Sequence, residues 1–114
     1  MFNNFVALLF VLASIISAAG AEPAVAKISV LASGKLLLNG NPTDLASIEA
    51  EFKRLQSQRG VVWYYREVAQ KEPPPEAMLA IELVIKYRLP ISMSSKPDFS
   101  DAIEANGRSV PRGP

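Results

Sequence analysis

The sequence predicts an α+β fold, a small mixed sheet in the order β-β-α-β-α-β with two helices packed on one of its faces. Three observations lead there. Runs rich in β-branched and aromatic residues recur along the chain, most clearly VVWYY at Val61–Tyr65. Two longer stretches carry apolar residues at spacings of three and four, the mark of an amphipathic helix. In the second half, strands and helices alternate, which favours helices laid on a sheet.

Each element has a local reason. After a short linker, residues 22–26, KISVL at Lys27–Leu31 reads as a strand. Ser33-Gly34 is a turn signal, and KLLL at Lys35–Leu38 follows as the second arm of a hairpin. Asn39-Gly40-Asn41-Pro42 is breaker chemistry that ends it. Thr43 or Asp44 can supply the N-cap oxygen of the first helix. Leu45, Ile48, Phe52 and Leu55 then fall on one helical face, Glu49 and Lys53 form an i,i+4 pair, and Gly60 stops the helix. Along Val61–Tyr65, alternation puts Val61, Trp63 and Tyr65 on one face, with Val62, Tyr64 and Arg66 on the other. The stiff connector KEPPP at Lys71–Pro75 leads into a second helix with Pro at its start. There Met78, Ile81, Val84 or Ile85, and Arg88 share a helical spacing, and Leu89-Pro90 closes the element. ISMS at Ile91–Ser94 is the last strand. The segment from Lys96 to Pro114 is polar and rich in Gly and Pro, and reads as a disordered tail.

Ahead of the domain, residues 1–21 carry no charged side chain, and all 12 basic and 11 acidic residues follow them. Phe5–Ala21 is an apolar run that ends in small residues, and Ala19-Gly20-Ala21 has the A-x-A form used by a signal peptidase. The expectation is an exported, periplasmic or envelope protein whose segment 1–21 is a signal peptide. The alternative is a retained single-pass anchor, for which 17 residues is the low edge of what spans a hydrocarbon core.

Composition narrows the function further. The net charge of +1 offers no basic excess for nucleic acid. With no Cys there is neither a disulfide nor a lipidated Cys, so the domain is held by its core or by a partner. Without His or Cys, most metal sites and most nucleophilic mechanisms are closed, and no catalytic residue or cofactor is expected. Glu72 and Glu76 read as a solvated connector and helix start, and Ser94-Ser95-Lys96 reads as a loop. The expected activity is binding, not catalysis. The contact candidates are Tyr64 and Arg66 on one face of the central strand, and Ile91, Ser92 and Met93 on the last one. Trp63 and Tyr65 are assigned to the core. A small sheet leaves strand edges exposed, and a short uncharged edge strand can pair with another chain.

From Lys27 to Ser94 the chain resembles the periplasmic domain of the ExbD/TolR family of biopolymer transport proteins. The residues that carry the resemblance are KISVLASGKLLLNGNPTDLASIEAEFKRL (Lys27–Leu55), VVWYY (Val61–Tyr65) and PPEAMLAIELVIKYRLPISMS (Pro74–Ser94). The resemblance implies a non-enzymatic protein-transport role in the envelope. The expected partner is a protein, with a homodimer, the cell wall and an ExbB-type transport complex as the alternatives. Family members keep an aspartate in a transmembrane helix, whereas Phe5–Ala21 has no acid. The resemblance therefore implies the domain and its interactions, not the proton-driven step.

Overall fold

A computed structural model describes residues 23–113, so the signal-or-anchor segment 1–21 lies outside the described residues. The elements are β1 (Val25–Val30), β2 (Leu36–Leu38), β3 (Asn41–Thr43), α1 (Leu45–Ser57), β4 (Val61–Arg66), α2 (Pro75–Lys86), β5 (Ile91–Ser94), β6 (Asp101–Ile103) and β7 (Ser109–Pro111). Five strands form one mixed sheet in the order β3-β2-β1-β4-β5, while β6 and β7 form a second, two-stranded sheet. The β1–β4 and β4–β5 pairs are parallel, and β1–β2 and β2–β3 are antiparallel.

Register sorts the side chains. Ile28, Tyr64 and Met93 are cross-strand neighbours, as are Lys27, Trp63 and Ser92. With a period of two, the first row points to one face and the second to the other. Both helices cover the first face. Ile28, Val30, Val62 and Tyr64 of the sheet pack with Ile48, Phe52 and Leu55 of α1 and with Ala77 and Val84 of α2. Phe52, Ile48 and Leu55 are fully buried, as the spacing along α1 requires. Their burial is the main stabilising term, of order 2 kcal/mol for each large side chain.

The helix ends follow capping rules. The Asp44 carboxylate accepts the Ser47 N–H at 2.8 Å and starts α1. Both helices stop in the same motif. In α1, Gly60 N–H donates to Leu55 O (2.8 Å) and Arg59 N–H to Gln56 O (3.3 Å); in α2, Leu89 N–H donates to Val84 O (3.1 Å) and Arg88 N–H to Ile85 O (3.0 Å). Arg59 (φ 55°) and Arg88 (φ 52°) sit in the left-handed position where Gly is the usual residue. Gly60 is needed for a different reason: a Cβ there would come within 2.7 Å of the Ala24 carbonyl oxygen and would also strike Leu55.

Several sequence expectations change. The breaker at Asn39-Gly40 does not end the sheet. Asn39 (φ 53°) and Gly40 (φ 88°) form the two-residue turn of a second hairpin, and Asn41–Thr43 becomes an edge strand. The buried face of α2 is shifted by one residue. Ala77, Ala80 and Val84 face inward, while Met78 and Ile85 are 52% and 69% exposed. Small alanines let the helix approach the sheet closely. Glu49 takes its partners across the fold, accepting from Lys86 Nζ (2.7 Å) and Tyr87 Oη (2.6 Å), in place of a pair with Lys53.

The largest correction concerns residues 96–114, read as a disordered tail. The described part of that segment folds into the β6–β7 hairpin and closes the second face of the sheet. Phe99 is buried between Trp63 (centroids 6.5 Å apart) and Tyr65 (6.3 Å, edge-on). The Arg112 guanidinium lies 4.0 Å from the Trp63 ring centre and donates to Phe99 O, Ser92 Oγ and Ser94 Oγ. Buried Asp101 accepts from Ser95 N–H (3.0 Å), Ser95 Oγ and Ser109 Oγ (2.6 Å). Specific polar contacts hold the segment where an apolar pattern is lacking. Trp63 and Tyr65 therefore pack under the hairpin, and Val62 and Tyr64 supply the helix-side core.

Candidate partner-binding edge

The two edges of the main sheet differ. On the β3 side, Pro42 lacks an N–H and blunts the strand. On the β5 side, the Val62 N–H donates to Pro90 O at 2.9 Å, which turns Pro90, Ser92 and Ser94 toward β4. Alternation then turns the backbone groups of Ile91 and Met93 outward. β5 is the last strand of the sheet, and no backbone hydrogen bond joins Ile91 or Met93 to β6, although β6 packs beside β5. The next outward amide, that of Ser95, is taken by the Asp101 carboxylate.

Beside this edge lies an apolar groove of about 290 Å³. Its walls are Met78 and Ile81 of α2, Met93 of β5 and Ile103 of β6, with Tyr64 at its base. Ile91, Met93 and Ile103 are 38%, 40% and 37% exposed. Tyr64 is only 7% exposed, and its ring lines the groove; among the described residues no buried side-chain polar atom is left without a partner, so its hydroxyl reaches the solvent. Burial pushes this phenol above its ordinary pKa, and Arg66 partly offsets the effect. The phenol therefore stays protonated at neutral pH and can both donate and accept.

The structure brings some of the expected residues together and separates others. Tyr64, Ile91 and Met93 share the helix side of the β5 edge. Arg66 reaches the same groove, but its guanidinium donates to Val68 O, Ala69 O and Lys71 O and so clamps the turn after β4. Ser92 faces the other way and accepts from Arg112. Sequence reasoning missed Met78, Ile81 and Ile103. For Met78 and Ile81 the sequence offers only a shared helical spacing, and Ile103 lies in a segment whose composition predicts disorder.

The arrangement offers backbone donors and acceptors, one phenol and apolar surface. Among the described residues no group of three or more acidic side chains is placed to hold a metal ion. Asp101 and its serines resemble a catalytic cluster only in composition. The carboxylate accepts from both hydroxyls, and those bonds lower its pKa to about 2, so it is a poor base at neutral pH. Among the same residues no helix is long and apolar enough to cross a membrane. Compared with known proteins, the chain matches no family model, no curated protein and no solved structure.

Proposed function

We propose that this chain is a non-enzymatic interaction domain of the cell envelope, of the ExbD/TolR type, that takes an extended segment of a partner protein as a further strand on β5. The single observation behind this reading is the pair of outward backbone rungs at Ile91 and Met93, set against an apolar groove. Strand addition draws its affinity from main-chain hydrogen bonds and its selectivity from a neighbouring pocket. Here the groove between α2 and β5 is that pocket. The envelope location is carried by the uncharged segment Phe5–Ala21 and its Ala19-Gly20-Ala21 ending.

A photo-crosslinking side chain at position 93, with position 41 on the blunted edge as control, tests the reading in the producing cell. The expected result is a crosslinked protein adduct from position 93 and none from position 41. Met93→Pro, which removes one outward N–H while leaving the bonds to β4, should abolish partner binding. Equal crosslinking from both edges would show that β5 has no special role.

A further inference from the structure

The two helices end at the same end of the molecule, and that end is also where the chain enters the domain. Val61 N–H donates to Ala24 O (2.9 Å), Val62 N–H to Pro90 O (2.9 Å), and Gln56 Nε2 to Tyr87 O (2.9 Å). These bonds draw residues 24, 56–62 and 87–90 into one surface.

Two cations mark it. Arg59 and Arg88 are exposed, and neither guanidinium has an acidic or carbonyl partner among the described residues. Other cations near the helix ends are accounted for: Arg54 pairs with Glu51, and Lys86 pairs with Glu49. Helix C-termini favour positive charge in general. That preference is met by a cation inside the last turn and does not call for one at the left-handed position beyond it. Arginine there is strained, and the same exception occurs at both helices. Strain kept at an exposed position points to a role outside stability. The opposite end, where the helices start, is mixed in charge, with Asp44, Glu67, Glu72 and Glu76 beside Lys35, Arg66 and Lys71.

We infer that the Arg59–Arg88 end of the domain rests on an anionic phospholipid surface, orienting the β5 groove away from it. Charge complementarity with the two unpaired guanidinium groups names that occupant. The inference does not depend on strand addition at β5.

The test uses the full chain and lets vesicles of phosphatidylcholine compete with vesicles of phosphatidylcholine mixed with phosphatidylglycerol. The apolar run contributes equally to every variant, so differences between variants report the two arginines. A cation near such a surface strengthens binding about fivefold, so Arg59→Gly with Arg88→Gly should lower the preference for anionic vesicles by about 25-fold. The same pair of changes should raise the melting temperature, because Gly relieves the left-handed strain. Arg59→Lys with Arg88→Lys should keep the preference, and salt beyond physiological strength, where the Debye length is below about 8 Å, should erase it. An unchanged preference in the glycine variant overturns the inference. Loss of the preference on adding inorganic phosphate at constant ionic strength also overturns it, because that identifies a discrete anion site.

Discussion

The two faces of the main sheet are closed in different ways. The helix side is sealed by fully buried aliphatic and aromatic side chains, Ile28, Ile48, Phe52, Leu55 and Val62, whose contribution is non-directional and scales with area. The hairpin side is sealed by directional contacts: Arg112 on Trp63, Phe99 against Trp63 and Tyr65, and three hydrogen bonds into Asp101. The first kind of closure tolerates volume-conserving exchange. The second depends on individual partners and can open while the first stays shut.

Removing volume from the helix side should have the largest effect. Phe52→Ala leaves a void among residues that are themselves fully buried, and should cost about 3–5 kcal/mol by denaturant unfolding. Next comes Arg112→Ala, which removes the stack on Trp63 and three hydrogen bonds. We expect a loss of about 2 kcal/mol from these terms together. Trp63 is the only tryptophan in the chain, so its emission reports the hairpin face directly, while far-ultraviolet dichroism reports the helices. If the two signals still change together in Arg112→Ala, the faces are one cooperative unit.

Acid should produce the smallest separation. The Ser109 and Ser95 hydroxyls hold the Asp101 carboxyl at about 2, below its ordinary value of 3.8. A carboxyl depressed in the folded state stabilises above its unfolded value, and that contribution fades as pH falls toward the folded one. Trp63 emission should therefore shift between about pH 4 and 2 before the helix signal falls. Asp101→Asn should remove that early shift. Asp44 and Glu49 are lowered too, by Ser47 and by Lys86 with Tyr87, so part of the acid response on the helix side should persist in that variant.

The same contrast explains what could be read from the chain. The apolar positions of α1 and the β-branched core of β4 were legible because burial imposes a period, and Ile48, Phe52 and Leu55 obey it. The faces of β4 were separated correctly by alternation, but which face met the helices could not be known. Both carry large apolar rings, and only the register with Ile28 decides the matter. In α2, Ala77 and Ala80 face inward with Val84, so a rule that weighs size points one residue away at Met78 and Ile81. The hairpin was illegible for a deeper reason. Phe99 adopts a left-handed conformation (φ 60°), unusual for an aromatic residue, and its partners, the Trp63 and Tyr65 rings and the Arg112 guanidinium, are distant in sequence. Such contacts leave no periodic trace. At the edge, Ile91 and Met93 stand out in the sequence because an uncharged strand is conspicuous, whereas the groove walls require tertiary structure.

Asp101 also has a consequence at the other end of its hydrogen bonds. By occupying the Ser95 amide it ends the free edge of β5 after Met93. On the proposed strand addition, a guest strand would meet two rungs and then a wall. It could not slide along the sheet to find a better fit, so its alignment would be dictated by this chain. On that proposal a docking edge of this length would act as a ruler, selecting a short motif in one frame.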